Sequence, residues 1–179
     1  MGKNGENFLD SYDRYREKHI QGVKEVYEWM KENIAQELIE AEYVTDVVYP
    51  RLETLINTHD VSKIMPEEYL AYAEYYFGKR DTRVKERYEK AWLHHMHNNP
   101  HHWEYWVRLD EDSEKWKTVE MPDVYVIEMI CDWASFGWNE GKREELFDWW
   151  EKKKEILIMG DKTRGRVERV LREMKKKGY

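Results

Sequence analysis

FLDSYDRYREKHIQGVKEVYEWMKENI, residues 8–34, places Phe8, Tyr12, Tyr15, His19, Val23, Val26, Met30 and Ile34 at steps of three and four. That spacing follows the 3.6-residue turn, so the stretch predicts one long amphipathic helix with an apolar stripe. His19 falls inside the stripe, where an imidazole needs a polar partner or a metal. A lone histidine on an apolar face is more often a satisfied core residue than a ligand, so the rest of the chain has to decide.

Outward from this helix the pattern stays helical. A second helical stretch covers about residues 35–42, and Pro50 suits the first turn of the next. Leu52, Leu55, Ile56 and His59 then form another stripe, so a second histidine faces inward. Met65-Pro66-Glu67-Glu68 reads as a helix start leading to Phe77, with Gly78 as its stop. A further helix spans about Asp81–His97 and ends at Asn98-Asn99-Pro100. Between 103 and 120, Trp103, Tyr105, Val107 and Leu109 alternate opposite Trp116, Thr118 and Glu120, which suggests a short β-hairpin across the polar Asp110–Lys115 turn. Met121-Pro122-Asp123 opens a helix to about Asn139, just before Gly141. On it, Tyr125, Glu128, Asp132 and Ser135 share one face, and Val124, Ile127, Cys131, Ala134 and Trp138 another. Two helices at about 142–158 and 163–177 complete the chain. The expectation is an all-α bundle of about six to eight helices with a short hairpin, as one domain over 1–179 whose core spans about 8–140.

Composition bounds the function. The 179 residues suffice for one domain with a sizeable core, and 37% charged against 41% apolar residues fits a soluble helical protein. No apolar run approaches the roughly 20 residues needed to span a bilayer. The N-terminal MGKNGENFLD has no hydrophobic signal core, and the single Cys131 allows no intramolecular disulfide, so a cytoplasmic location is expected. A net charge of −7 argues against coating long nucleic acid, while a local cationic pocket would still hold a phosphate. Nine tryptophans and thirteen tyrosines supply bulk for the core, base stacking being the sharper alternative, and exposed aromatics would be compatible with a homodimer.

The remaining histidines make a series: His19, the pair His59-Asp60, then His94, His95, His97, His101 and His102, followed by Asp132. Neutral imidazole and carboxylate are the ligands of divalent ions of intermediate hardness. One inward histidine is easily accidental. An inward histidine on each of two helices, with a later cluster and then Asp132 on a helix rich in core residues, points to a metal centre assembled from several helices.

The order His19, His59-Asp60, Asp132 resembles the HD-domain metal-dependent phosphohydrolase superfamily, and Thr58-His59-Asp60-Val61-Ser62-Lys63 looks like its HDxxK variant. The resemblance covers about residues 8–140. Asn99-Pro100-His101-His102-Trp103 and Glu128-Met129-Ile130-Cys131-Asp132-Trp133 are also similar to strings in a small family of uncharacterised bacterial and phage proteins. The superfamily resemblance implies an HD-like fold in which His19, His59, Asp60 and Asp132 are the primary ligands of one ion. That ion would be manganese, iron, cobalt, nickel or magnesium, with zinc also compatible. His94 or His95, with His101 or His102, are the candidates for a second ion bridged by Asp60; each pair is seven residues apart and would share a face if the helix ran on.

The chemistry expected is hydrolysis of a nucleotide or other small phosphoester, with Asp60, Lys63 and Glu128 as catalytic candidates. Lys63 would hold a phosphate if helix continues through Asp60, and Glu128 would serve as acid/base or orient a histidine. Lys162 and Arg164 form a cationic helix start that could also reach a phosphate. A di-iron oxygenase on the same scaffold and a non-catalytic metal-stabilised binding module are the alternatives.

Overall fold

The computed structural model describes residues 7–40 and 49–179. The expected run of the second helix on to Glu42 and the extreme N-terminal segment lie outside them. The described residues form eight α-helices and one two-stranded hairpin, as the apolar periodicity requires. The helices are α1 Phe8–Asn33, α2 Ala35–Glu40, α3 Tyr49–Asn57, α4 Tyr69–Phe77, α5 Thr82–Asn98, α6 Asp123–Glu140, α7 Glu145–Lys153 and α8 Asp161–Lys176. None is long and apolar enough to cross a membrane.

The long helix α1 is capped by Asn7, whose side chain accepts from the Leu9 N–H at 3.2 Å. It packs along α6, which is buried nearly all round: Val124, Val126, Ile127, Met129, Ile130, Cys131 and Ala134 are all core residues. Both faces that the sequence distinguishes on α6 are buried in part, because α1, α3 and α8 all pack against it. Gly141 ends α6 at φ 71°, the left-handed conformation that glycine adopts without a Cβ penalty. The helix α4 packs on α1, and α5 packs on α4.

Two apolar clusters result. The larger joins Val23, Val26, Met30 and Ile34 of α1 to α6 and α8, and the smaller joins Tyr12 to Ala71, Tyr72, Ala73 and Ala91. His19 lies between Tyr12 and Val23 on α1, so it stands at the seam between the clusters.

Several boundaries differ from the sequence reading. The helix α4 begins one turn after Pro66, because Met65–Glu68 form a turn that carries the Glu68 side chain inward, where it is 0% exposed. Trp103–Trp106 are a 3₁₀ turn rather than strand, held by the Trp106 indole N–H donating to the Pro100 carbonyl at 2.7 Å. The hairpin is shorter, β1 Val107–Asp110 with β2 Lys115–Thr118, in the expected register of Leu109 opposite Trp116 and Val107 opposite Thr118. The helix expected over 142–158 contracts to α7, since Lys142–Glu144 and residues 154–156 form turns.

Candidate metal centre

Helix α3 stops at Asn57, before the His-Asp pair, and Asp60 adopts φ 58° and ψ 23°. An aspartate tolerates this left-handed conformation better than most residues. The consequence is geometric. In a continuing helix, neighbouring side chains diverge by about 100°; the left-handed turn lets both His59 and Asp60 reach the seam. The 3₁₀ turn Val61–Ile64 follows and folds Lys63 back, so its Nζ lies 2.5 Å from Asp60 Oδ2. The sequence placed Lys63 beside Asp60 through a continuous helix; the contact is real but a different backbone makes it.

Helix α5 ends at Asn98, so the seven-residue histidine pairs do not share a helical face. The chain instead turns at Asn99-Pro100 and lays His101 and His102 back against His95; the His95 and His102 rings are 4.8 Å apart. The Asn99 amide donates to the His95 carbonyl at 2.8 Å and to Ser62 Oγ at 2.7 Å, holding this corner. His94 turns the other way. Its Nδ1 is 2.7 Å from Glu68 Oε1, and it joins none of the ligand groups described below.

The side chains brought together are His19 from α1, His59 and Asp60 after α3, His95 from α5, His101 and His102 after it, and Asp132 from α6. Two groups have ligand atoms within 4.8 Å of one another: His19, His59 and Asp132; and Asp60, His95, His101 and His102. Asp60 joins them. Its Oδ2 lies 3.4 Å from His19 Nε2 and 3.5 Å from His59 Nε2. Its Oδ1 lies 3.2 Å from His95 Nε2 and 3.6 Å from His101 Nε2. Asp132 Oδ1 completes the first group, 3.0 Å from His19 Nε2 and 3.7 Å from His59 Nε2. Two ligands bound about 2.1 Å from one ion at 90–109° stand about 3.0–3.4 Å apart, so these spacings suit shared coordination.

Direction supports the same conclusion. The Nε2 atoms of His19, His59, His95, His101 and His102, and Oδ1 of Asp60, are buried and make no aligned hydrogen bond. Buried polar atoms are nearly always satisfied, and these converge on one another's space without pointing at each other.

The opposite edges of four of the rings are occupied, which fixes their tautomers. Glu128 Oε1 accepts from Nδ1 of His59 at 2.9 Å and from Nδ1 of His101 at 3.2 Å. Glu68 Oε2 accepts from Nδ1 of His95 at 2.8 Å. Ser135 Oγ spends its one hydrogen on the Asp132 carbonyl at 2.7 Å, so it accepts from Nδ1 of His19 at 3.0 Å. With Nδ1 protonated, each neutral ring turns its Nε2 lone pair inward, the arrangement that metal-binding histidines require. Glu128, His59 and His101 are also close enough to form a ligand group of their own. The two Nδ1 contacts already use that carboxylate, so we assign it to orientation.

Electrostatics agrees with a cation-binding centre. Burial pulls the His59 imidazole down, but Asp60, Asp132 and Glu128 reverse this and push it up to about 10. Burial raises Asp60 and Asp132, yet the neighbouring imidazoles, with Lys63 acting on Asp60, hold both well below the usual carboxylate range. Burial and the adjacent His101 push His102 down to about 2, leaving a neutral ring. The carboxylates therefore favour protons on His59 and His95, and a divalent ion would exchange for them. These buried His and Asp groups are competent to hold a metal ion; the donor set leaves open which.

A cavity of 320 Å³ opens onto this centre at His19, Lys63, His102 and Asp132. Lys162 and Arg164 do not line it. The Arg164 guanidinium donates to the Lys154 and Leu157 carbonyls, closing the C-terminal end of α7, and Lys162 is exposed at the start of α8. Sequence reading missed Glu68, Ser62 and Asn99 as parts of the centre, because nothing local distinguishes them from cap and turn residues. Ser135 had a signal: it follows Asp132 by three residues on the same face.

Neither a curated protein nor a solved structure matches this chain. A family model does match, over residues 9–173, a span containing every residue of the centre and those that orient it; the chain belongs to that family, which is described as a family of unknown function (DUF5662).

Proposed function

We propose that this protein is a metal-dependent phosphohydrolase of small phosphoesters, including nucleotides, on an HD-like centre that holds two divalent ions. The observation that carries the reading is the division of Asp60 between two ligand groups, one oxygen toward His19 and His59, the other toward His95 and His101. Paired ions bridged by a carboxylate are a recurring arrangement in phosphoester hydrolysis; such ions lower the pKa of a bound water and polarise a phosphoryl oxygen. His19, His59, Asp60 and Asp132 would hold one ion, and Asp60, His95, His101 and His102 the other. The order His19, His59-Asp60, Asp132 resembles that of the HD-domain enzymes.

The chain's own groups divide the remaining work. Lys63 stays cationic, because Asp60 and Asp132 raise its pKa against the effect of burial, and it faces the cavity. It offers positive charge to a phosphoryl oxygen where negative charge develops. Glu128 sits behind the imidazoles, so we read it as a positioning residue rather than an acid or base. A net charge of −7 favours a small substrate over long nucleic acid.

The three imidazoles of the second group also suit an iron pair that activates dioxygen, which is the competing reading. Metal analysis of purified protein, then phosphate release from nucleoside mono- and triphosphates and simple phosphomonoesters with manganese, cobalt, nickel, iron or magnesium, separates the two. Release that is lost in Asp60→Ala is expected. Iron content with oxygen consumption and no release would select the oxygenase, and metal-independent binding of a partner a non-catalytic module.

A further inference from the structure

The cavity above the centre has an unusual wall. Ten of its 17 lining residues are aromatic, and its described lining contains no serine, threonine, asparagine or glutamine. The groups that face it with charge are Arg16 and Lys63 on the cationic side and Glu104 and Asp132 on the anionic side. A site for sugar hydroxyls or for the edges of a base would carry neutral donors and acceptors at fixed positions. Five tyrosine hydroxyls belong to its lining residues, but those of Tyr76 and Tyr88 bond each other and those of Tyr12 and Tyr72 are buried. The Phe136–Trp149 side offers flat apolar faces, and the cations stand next to the ligand cluster.

Phe136 shows the arrangement most directly. It follows Asp132 by one helical turn, is 51% exposed, and its ring lies 5.0 Å from the ring of His19 at an interplanar angle of 32°. A large aromatic residue left half in solvent at the mouth of a ligand cluster lacks a packing role in the core. Beside it Trp133 and Trp149 meet at 4.7 Å, and a second cavity of 260 Å³ lies against the same three side chains. The wall therefore has free space on both sides, and a ring can slide against Phe136 and Trp149 without displacing the core.

We infer that the molecule bound here is an anionic ester carrying a planar aromatic ring, whose anionic end meets Lys63 and the ligand cluster while its ring stacks on Phe136 and Trp149. At Phe136 and Trp149 recognition is by the face of the ring, so different rings are accepted alike. Stacking of this kind tolerates any flat π-system. The inference deepens the phosphohydrolase reading but depends on it only for the phosphorus-bearing end.

Phosphonates test the binding without turnover. Titration calorimetry of the manganese-loaded full chain should show phenylphosphonate binding about tenfold or more tighter than methylphosphonate. A parallel series, adenosine and uridine 5′-monophosphate against ribose 5-phosphate, reads whether the ring sits on a sugar or directly on the ester. A ring preference in either series supports the inference, and its absence from both overturns it. Phe136→Ala should remove most of the preference while leaving metal content and methylphosphonate affinity unchanged; Trp149→Ala provides the second variant. Retention of the full preference in both variants would overturn the assignment to this wall. Ring-selective binding with no phosphate release from any ester would leave this inference standing and remove the phosphohydrolase. Release with no ring preference would do the reverse.

Discussion

The Oε1 atom of Glu128 lies 2.9 Å from Nδ1 of His59, and the same oxygen reaches His101 at 3.2 Å. One buried carboxylate thereby sets the tautomer of a histidine in each ligand group. Removing such an orienting acceptor typically weakens metal binding by about 10–100-fold. Glu128→Gln and Glu128→Ala should both do so, measured by competition with a chromophoric chelator. Unchanged affinity in both would refute the orienting role.

Asp60 and Asp132 should differ in stoichiometry. Asp60→Ala removes the carboxylate whose two oxygens serve the two groups and leaves the Lys63 ammonium without its 2.5 Å partner, so bound metal should fall to none. Asp132→Ala touches only the first group and should leave one ion per chain. Elemental analysis after dialysis reads both, and full occupancy in Asp60→Ala would rule out this centre.

Glu120 gives a pH prediction remote from the centre. Its carboxylate accepts from the Thr163 N–H at 2.7 Å and the Thr163 hydroxyl at 2.8 Å at the first turn of α8. Burial, the largest single effect, raises its pKa, but the hydrogen bonds from Thr163 and Lys162 with the charge of Arg166 together outweigh it and hold it below the ordinary glutamate value. A depressed folded-state pKa means the stabilisation exists above the unfolded pKa and is lost as pH falls through the folded one. Glu120→Ala should cost about 1 kcal/mol at pH 7, as cap removal does, and progressively less below about pH 4. Urea denaturation at pH 7 and pH 3 measures the difference, and an equal cost at both would contradict the carboxylate's role.

Ile130 is 0% exposed on α6 and belongs to the larger apolar cluster. Ile130→Ala should destabilise the fold by about 2–5 kcal/mol through lost burial and the cavity left behind. Metal stoichiometry should persist in the folded variant, because no ligand is altered. A loss below 1 kcal/mol by denaturant titration would mean that α6 is less tightly packed than described.

Much of the fold was legible because helices write themselves at a 3.6-residue period. The α1 stripe from Phe8 to Ile34, the Asn98–Pro100 stop and the Gly141 stop each depend on local backbone chemistry, and each stands where the sequence placed it. The Leu109–Trp116 pairing was legible for the same reason, since alternation is local. The start of α4 and the 3₁₀ turn at Trp103–Trp106 were not, because distant contacts decide them: Glu68 is drawn in by His94 and His95, and the Trp106 indole is held by Pro100.

The centre divides along the same line. His19 and His59 were legible as inward-facing positions on periodic segments, and Asp132 as a member of one face of a helix rich in core residues. That His101 and His102, and not His94, join His95 depends on a chain reversal at Asn99-Pro100 that no periodicity encodes.

By itself, the sequence determined the helical class, the donor chemistry and the faces from which His19 and Asp132 project, since these follow from residue type and helical period. Only the tertiary structure decided that Asp60 sits in a left-handed turn and divides its two oxygens between two sets of imidazoles. The reason is physical: ligand geometry is fixed to a few tenths of an ångström by contacts between segments far apart in the chain, and local backbone preferences do not extend that far.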